Sequence, residues 1–237
     1  MNSSSLEKLP DTFSASFVPE NLPGEGEAVI VVASVSAITP VELPLDELRR
    51  ADAVTHEEAR IQYLVGRYLL RGVLSQWLGI RPCDLPITLT FSGKPVLSES
   101  GMPYFSITHT AKSIAAIFSL QPVGIDLEQE RSVDVCALAR RFFSKEEADF
   151  LEQSGSQSDF YRLWCCREAA IKGDGKGLAK LLSTTRVSPH SIRTSRKVSV
   201  LIGEDSWSSI PWTLAGGIHG AAAFLEVPGV IRWCDLG

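Results

Sequence analysis

The sequence predicts an α+β fold, in which strands and helices occur in separate blocks along the chain. Residues 28–36 (AVIVVASVS) are rich in β-branched side chains and lack turn formers, which is typical of a buried strand. From His56 to Leu78, apolar residues recur at spacings of three and four, which predicts an amphipathic helix that ends at Gly79. Helical patterns return after residue 134, and strand patterns return near the C-terminus.

The remaining elements follow in chain order. Residues 1–27 are rich in Ser, Pro, Glu and Gly, and we expect them to form a flexible lead-in. Glycine and proline residues separate short strands, which we place at residues 87–91, 104–108, 113–120 and 123–128. Ser144 and Glu147 form a capping box at the start of one of three expected helices, at residues 134–143, 145–153 and 159–171. The last strands are expected at residues 198–202, 212–215, 220–227 and 230–234.

A short internal echo suggests two halves. Thr108-His109-Thr110 precedes the strand SIAAIFSL, and Ile218-His219-Gly220 precedes AAAFLEV. A duplicated architecture would explain this similarity and so would chance, and at this point both explanations stay open. We expect an N-terminal half over residues 28–121 and a C-terminal half over residues 122–237.

Composition narrows the functional classes. The 237 residues are 44% hydrophobic and 22% charged, as in ordinary globular proteins, and the net charge of −5 argues against an electrostatic nucleic-acid binder. No apolar run has the length of a membrane span, and the N-terminus lacks a signal-peptide pattern. The five scattered cysteines contain no CxxC pair, which favours reduced thiols in the cytoplasm over a zinc cluster.

Two carboxylates share one face of a predicted strand. In Val123-Gly124-Ile125-Asp126-Leu127-Glu128, side chains alternate between faces, so Asp126 and Glu128 point to the same side. Neighbouring carboxylates repel each other unless a cation neutralises them, and hard oxygen ligands suit Mg²⁺. Taken alone, this pair is better explained as a solvated strand edge.

A second pair of charges lies on a predicted helix. Glu168 and Lys172 are four residues apart, so they share one face of that helix and would form an ordinary surface ion pair. Trp164 precedes them, and a segment with glycines at alternate positions follows them (GDGKG). Such glycines permit close approach of the backbone to another group. The segment is not a P-loop, which requires GxxxxGK[ST].

Several basic side chains are candidates for anion binding. Arg60, Arg67 and Arg71 share one edge of the long helix, where they either solubilise it or form an anion site. Lys94 lies on the turn Gly93-Lys94-Pro95, where a lysine is usually only solvated. His109 ends a strand between two hydroxyl residues, and a lone histidine is more often structural than functional.

In their order and spacing, these patterns resemble the surfactin-type 4′-phosphopantetheinyl transferases. The resemblance covers about residues 46–182 and rests on the helix arginines and on GKP, FSITHT, GIDLE, FFSKEE and WCCREAAIKGDGKGL. The chain departs from the family at Arg167, where Lys is usual, and at Thr108, where Ser is commoner. The patterns GxSxG and HExxH of classical hydrolases are absent from the sequence.

The resemblance implies a monomer with a pseudo-dimeric α+β fold and coenzyme A bound in the cleft between the halves. It implies Mg²⁺, for which Mn²⁺ can substitute, held by Asp126, Glu128 and Glu168 on the diphosphate of coenzyme A. Glu168 would deprotonate the serine of an apo acyl or peptidyl carrier protein, and Lys172 would stabilise the departing 3′,5′-ADP. The residues implied to hold the phosphates of coenzyme A are Arg60, Arg67, Lys94, Thr108 and His109, with Arg71 as a further candidate.

Two other classes remain open on the sequence. One is a different Mg²⁺-dependent enzyme that uses coenzyme A or a nucleotide, and dependence on a carrier protein would distinguish it. The other is a non-catalytic homologue that binds carrier proteins, whose mark would be the loss of a metal carboxylate. All three carboxylates are present in this chain.

Overall fold

The computed structural model describes residues 21–177 and 184–236 and confirms the predicted α+β class. These residues form two units, each with its own sheet and its own long helix. The described parts of unit 1 are residues 21–88, 95–120 and 228–236, and those of unit 2 are residues 89–94, 121–177 and 184–227. Within the described residues, no helix combines the length and apolar character needed to cross a membrane.

Unit 1 contains a four-stranded sheet with the spatial order β11-β1-β5-β4, where the strands are β1 (Glu27–Ser34), β4 (Tyr104–His109), β5 (Ser113–Ser119) and β11 (Val230–Asp235). β5 runs antiparallel to both of its neighbours, whereas β11 pairs with β1 in parallel. β1 is therefore a central strand, which explains why its β-branched run is buried along nearly its whole length. β2 (Ile87–Leu89) and β3 (Pro95–Leu97) form a separate two-stranded ribbon.

The long predicted helix covers the sheet of unit 1. This helix, α2 (Glu57–Leu78), ends as expected at Gly79, whose φ of 66° is left-handed and is readily adopted by glycine. Val65 and Leu69 of the predicted apolar stripe are buried in the core of this unit, whereas Ile61 is 43% exposed. The preceding helix α1 (Leu45–Asp52) was not predicted, because an eight-residue segment carries little periodic signal.

Unit 2 contains an antiparallel five-stranded sheet with the spatial order β6-β10-β9-β8-β7. Its strands are β6 (Val123–Gln129), β7 (Thr185–Val187), β8 (Val198–Ile202), β9 (Asp205–Leu214) and β10 (Ile218–Phe224). The prediction placed β8 at its observed bounds and missed the first part of β9, where polar serines interrupt the apolar pattern.

The helices of unit 2 are α3 (Val135–Phe142), α4 (Lys145–Ser154), α5 (Gln157–Asp174) and the short α6 (Ser191–Thr194). The predicted capping box is confirmed: the Glu147 backbone N–H donates to Ser144 Oγ at 3.3 Å, and the Ser144 backbone N–H donates to Glu147 Oε2 at 2.6 Å. α5 packs on the sheet and supplies the centre of the core of this unit, where Leu163, Ala169 and Ile171 are buried.

Two glycines allow α5 to lie unusually close to β6. A Cβ atom at Gly124 of β6 would stand 1.9 Å from the carbonyl oxygen of Ala169, which no side chain tolerates. A Cβ atom at Gly173 of α5 would meet the ring of Trp207 at 2.4 Å. The glycine of the GIDLE segment therefore sets the spacing between the strand and the helix that carry the candidate catalytic residues.

The division of the chain differs from the predicted halves at two places. The main boundary falls between Leu120 and Gln121, next to the expected one, but residues 228–236 belong to unit 1 because β11 pairs with β1. Residues 89–94 belong to unit 2. Residues 1–20 of the predicted lead-in, and the end of the GDGKGL segment at Leu178, lie outside the described residues.

His109 and His219, the histidines of the similar segments noted in the sequence, occupy different places in their hairpins. His109 is the last residue of β4, before the turn into β5. His219 lies within β10, after the turn that follows β9. The sequence echo therefore does not superimpose equivalent positions.

Candidate active site

β6 and α5 of unit 2 bring a carboxylate and an ammonium group into direct contact. Gly124, Asp126 and Glu128 alternate with Ile125 and Leu127 along β6, so the two acidic side chains share the face that Gly124 turns toward α5. The Lys172 ammonium of α5 donates to Asp126 Oδ1 at 2.6 Å, and Asp126 is only 3% exposed. Asp126 and Lys172, which the sequence placed in two separate pairs of charges, therefore form an ion pair with each other.

Glu168 lies one helical turn before Lys172, and burial dominates its electrostatics. Removal from water raises the pKa of Glu168 to about 7, and the negative charge of Asp126 adds to the increase. The pKa of Glu128 is also raised to about 7, again first by burial and then by Asp126. For Lys172, burial lowers the pKa, but Asp126 and the two glutamates reverse this, and the net pKa is raised. The cluster thus holds three acidic groups against one ammonium group.

The residues of this cluster suit a hard divalent cation by charge and by ligand type. Within residues 21–177 and 184–236, no group of three or more His, Cys, Asp or Glu side chains is arranged so as to hold a metal ion. The cation in contact with Asp126 is instead the Lys172 ammonium. Carboxylate oxygens are nevertheless the donors that Mg²⁺ prefers, and Asp126 adds to the rise in pKa that burial causes at Glu128 and Glu168.

Lys94 is placed at the end of α5. Its ammonium donates to the carbonyl oxygen of Lys172 at 2.6 Å and to that of Gly173 at 3.0 Å. Burial lowers the pKa of Lys94 to about 8, partly offset by Asp174. The structure thus gives Lys94 contacts with the helix backbone, which the predicted role on the phosphates of coenzyme A did not anticipate.

Arg71 of α2 is a structural residue of unit 1. Its Nε and Nη2 donate to the two carboxylate oxygens of Glu47 at 2.8 Å and 3.0 Å, and its Nη1 donates to the Pro82 carbonyl oxygen at 2.6 Å. The side chain is 2% exposed. Because each guanidinium nitrogen is already engaged within this unit, Arg71 is not carried into the proposed site for phosphate.

The other two helix arginines differ from Arg71. Arg67 Nη1 stands 3.7 Å from Glu47 Oε1 and is buried, with no hydrogen-bond partner among the described residues. A buried guanidinium nitrogen without an acceptor is costly, and an anion would satisfy it. Arg60 is partly exposed and forms ion pairs with Asp52 at 3.2 Å and Glu57 at 3.8 Å.

Thr108 and His109 end β4 on opposite faces of the strand. Thr108 is buried, and His109 is exposed at the last residue. The structure therefore does not bring their side chains to one surface of the sheet in unit 1.

Comparison with known proteins decides the family. Residues 122–220 match the model of the 4′-phosphopantetheinyl transferase superfamily. The 4′-phosphopantetheinyl transferase HetI of Nostoc sp. is 34% identical over 172 residues, which are 67% of this chain and 72% of the relative. The 4′-phosphopantetheinyl transferase Sfp of Bacillus subtilis is 34% identical over 138 residues, which span 57% of this chain and 61% of Sfp. The chain belongs to the 4′-phosphopantetheinyl transferase family.

This membership confirms the resemblance drawn from the motifs, and it identifies the protein as a transferase. The segment that matches the superfamily model contains all four residues of the charged cluster, Asp126, Glu128, Glu168 and Lys172. The candidate anion-binding residues Arg60, Arg67, Lys94, Thr108 and His109 lie before that segment.

Arg167 anchors α5 of the transferase from inside the core. Its side chain is wholly buried; Nη2 donates to the Thr185 carbonyl oxygen at 2.7 Å and to Glu147 Oε2 at 3.3 Å, and Nη1 donates to the Phe142 carbonyl oxygen. The planar fork reaches these acceptors from two separate nitrogens in a fixed geometry, which the single ammonium of a lysine does not reproduce. Arg167, which stands where the family usually has Lys, is thus accommodated by acceptors on α3, α4 and β7.

A second group of hydrogen-bonded side chains in the transferase, centred on His219, was given no role in the site from the sequence. His219 of β10 lies directly opposite Glu128 in the strand pairing. Its Nε2 is 2.6 Å from Glu130 Oε2, its Nδ1 is 3.2 Å from Thr213 Oγ1, and its ring stacks on Tyr161. His219 thereby fixes the end of β6 just beyond Glu128. Only the histidine itself was visible in the sequence, since its partners are distant along the chain.

The vicinal thiols of the transferase are not reactive groups. Cys165 and Cys166 are fully buried on α5, and burial raises the pKa of both thiols. The thiolate form that would act as a nucleophile is therefore suppressed.

Proposed function

We propose that the protein transfers the 4′-phosphopantetheine group of coenzyme A to a serine of an apo acyl or peptidyl carrier protein. The serine oxygen forms a bond to the phosphorus that bears the pantetheine arm, and the bond from that phosphorus to the oxygen of the departing 3′,5′-ADP breaks. The observation that carries this proposal is the charged cluster of Asp126, Glu128, Glu168 and Lys172, which lies within the segment shared with the family.

The residues of the cluster have separable roles in this proposal. Glu168 accepts the proton of the serine hydroxyl, directly or through water. Its pKa of about 7 applies without the divalent ion, which would lower it. Lys172 neutralises charge on the departing 3′,5′-ADP, and its ammonium is already directed by the hydrogen bond to Asp126. Asp126, Glu128 and Glu168 would hold the divalent ion, which we propose to be Mg²⁺, with Mn²⁺ as a substitute. When bound, that ion neutralises charge that builds up on the diphosphate.

Unit 1 supplies candidates for recognition of the nucleotide end of coenzyme A. The buried Nη1 of Arg67 supports a role in binding phosphate, because it has no acceptor among the described residues. Arg60, Thr108 and His109 stay in the proposal on the motif resemblance. We propose further that the protein acts as a cytoplasmic monomer without a nucleic-acid partner, which the net charge of −5 supports.

We also propose that the fold is pseudo-dimeric, and the internal connectivity of each unit supports this. In unit 1, the strand β1 precedes the helix α2 and the hairpin β4–β5, and β1 pairs antiparallel with β5. In unit 2, the strand β6 precedes the helix α5 and the hairpin β9–β10, and β6 pairs antiparallel with β10. Each unit thus repeats one strand–helix–hairpin path in which the first strand joins the last.

The deciding experiment is intact-mass analysis of apo carrier proteins incubated with coenzyme A, Mg²⁺ and this protein. A mass gain of one phosphopantetheine arm is expected, and a carrier whose acceptor serine is replaced by alanine should gain nothing. Consumption of coenzyme A without carrier modification would identify a different enzyme of coenzyme A. Tight carrier binding with no mass gain would identify a non-catalytic binder.

A further inference from the structure

The C-terminal end of α5 needs hydrogen-bond partners for its last carbonyl groups. A helix leaves these oxygens without intrahelical donors, and the helix dipole makes them negative. The Gly175 backbone N–H satisfies one of them, the carbonyl of Ile171, at 3.0 Å. The next two, those of Lys172 and Gly173, accept hydrogen bonds from the Lys94 ammonium.

The turn that carries Lys94 is itself tightly braced. The Gly93 backbone N–H donates to the Thr90 carbonyl oxygen at 2.9 Å, and the Thr90 backbone N–H donates to the Lys94 carbonyl oxygen at 2.9 Å. The Lys94 backbone N–H also donates to Thr90 Oγ1 at 3.1 Å. Gly93 adopts a φ of 84°, which explains the glycine of the GKP motif. These hydrogen bonds fix the backbone from which the Lys94 side chain extends toward α5.

A second side chain of the same turn reaches the same helix end. Ser92 Oγ donates to the Gly175 carbonyl oxygen at 2.6 Å. A Cβ atom at Gly175 would stand 3.3 Å from Lys94 Cδ, and one at Gly177 would stand 3.4 Å from Ser92 Cβ. The alternate glycines after α5, which the sequence marked as permitting close approach, accommodate this turn.

Lys172 is therefore held at both ends. Its carbonyl oxygen accepts from Lys94, while its own ammonium donates to Asp126. Fixing the backbone of Lys172 limits where its side chain can reach, and it also restrains the last turn of the helix, directly after the turn that carries Glu168. Burial, which lowers the pKa of Lys94 to about 8, shows how far this ammonium has been withdrawn from water.

We propose that Lys94 is a positioning residue for the active-site helix, and that it acts through the carbonyl oxygens of Lys172 and Gly173 rather than as a ligand of the phosphates of coenzyme A. The inference rests on the proposed function, since positioning matters only if Glu168 and Lys172 perform the transfer. Small misplacements of catalytic groups cost up to about a hundredfold in rate, so a loosened helix end should lower turnover without removing a substrate contact.

The test compares Lys94→Met, which keeps the chain length and removes the hydrogen bonds, with Lys94→Arg, which can still donate to two carbonyl groups. Lys197→Met, at an exposed lysine of unit 2, is the control for the loss of one positive charge. We expect Lys94→Met to lower kcat about tenfold or more at saturating coenzyme A. Its Kd for coenzyme A should change by less than about threefold, since no charge-assisted contact with the ligand is lost. Lys94→Arg should recover part of kcat, and Lys197→Met should match the wild type.

Hydrogen exchange supplies a readout that does not depend on transfer. The backbone amides of residues 171–175 should exchange faster in Lys94→Met than in the wild type and the Lys197→Met control. A rise of about tenfold or more in the Kd for coenzyme A, with unchanged exchange at the end of α5, would make Lys94 a phosphate ligand and overturn the proposal. If Lys94→Met fails to fold, Ser92→Ala, which removes one bond of the same brace, should show the same faster exchange.

The two proposals fail in different ways. If the wild type modifies no carrier protein while Lys94→Met still loosens the helix end, the proposed function is wrong and the structural contact stands. If the wild type modifies carriers while kcat and exchange are unchanged in Lys94→Met, the positioning role is wrong and the function stands.

Discussion

The Lys172 ammonium donates to Asp126 Oδ1 at 2.6 Å, so a helix and a strand of unit 2 carry opposite charges in direct contact. Asp126 is buried, whereas the Lys172 side chain keeps 32% of its surface exposed. A buried carboxylate gains from this partner, and the partly exposed ammonium can turn to another anion at lower cost.

Replacement of Asp126 by asparagine should nearly abolish carrier modification, with a loss of roughly a hundredfold or more. The substitution keeps the shape of the side chain but removes both the proposed metal ligand and the partner of Lys172. Stability should fall by only roughly 1–3 kcal/mol, since Lys172 reaches solvent. Intact-mass assays and thermal melts measure the two effects, and Asp149→Asn at an exposed site of α4 is the matched control. Near-normal activity with Mg²⁺ would remove Asp126 from the proposed metal site.

Glu168→Gln and Lys172→Ala should separate catalysis from binding. The glutamine keeps the volume and one oxygen but removes the proton acceptor, so kcat should fall by roughly a hundredfold while the Kd for coenzyme A changes little. Lys172→Ala should lower both affinity and rate, because its ammonium meets phosphate in the bound state and more charge in the transition state. An ordinary surface ion pair would predict a loss of only tenths of a kcal/mol for either change. Measured kcat and Kd for both variants, beside melts that exclude misfolding, distinguish these outcomes.

The raised pKa values of Glu128 and Glu168 predict how stability depends on pH without divalent ions. Each carboxyl has an ordinary pKa of 4.5 and a folded-state pKa of about 7, so the folded state binds protons more tightly than the unfolded state. Their contribution to stability is therefore complete below pH 4.5 and is lost as the pH rises through 7. Added Mg²⁺ should oppose this loss, because the ionised carboxylates become its ligands.

Thermal melts with and without Mg²⁺ at pH 6 and pH 8 test this dependence. The increase in Tm caused by Mg²⁺ should be larger at pH 8, and Glu168→Gln should reduce the difference between the two pH values. An equal increase in Tm at both pH values would show that ionisation of these carboxyls is not linked to metal binding.

Arg67 and Arg71 lie one turn apart on α2 and should respond in opposite ways to replacement by methionine. Arg71→Met leaves the buried carboxylate of Glu47 without its bidentate partner, and stability should fall by roughly 3–5 kcal/mol. Arg67→Met should cost far less stability. It should raise the Kd for coenzyme A by about tenfold or more, the effect of losing one charge-assisted contact. Urea unfolding and calorimetric Kd values measure the two effects. If Arg67→Met binds coenzyme A normally, its buried nitrogen is not a phosphate contact.

Local patterns predicted what depends on neighbouring residues. The long helix ends at Gly79, the Ser144–Glu147 capping box is present, and Asp126 shares its strand face with Glu128, because each of these features follows from spacing within a few residues. The alternation of side chains along β6 was enough to place two acidic groups together before any tertiary contact was known.

Contacts between distant segments were not predictable from spacing. Arg60, Arg67 and Arg71 look equivalent along one edge of a helix, and only the position of Glu47 makes Arg71 structural. Lys94 looks like a solvated turn lysine, and only its approach to the end of α5 shows its partners. The parallel pairing of β11 with β1 likewise leaves no periodic trace in either strand.

The contact of Gly124 with the Ala169 carbonyl has a consequence for how this enzyme can vary. Because the gap between strand and helix is fixed by main-chain atoms in contact, no choice of neighbouring side chains can restore it once a methyl group is inserted. Gly124→Ala should therefore be more harmful to transfer than most substitutions of larger core residues, which neighbours can partly accommodate. Position 124 therefore accepts only glycine for as long as the strand and the helix keep their present spacing.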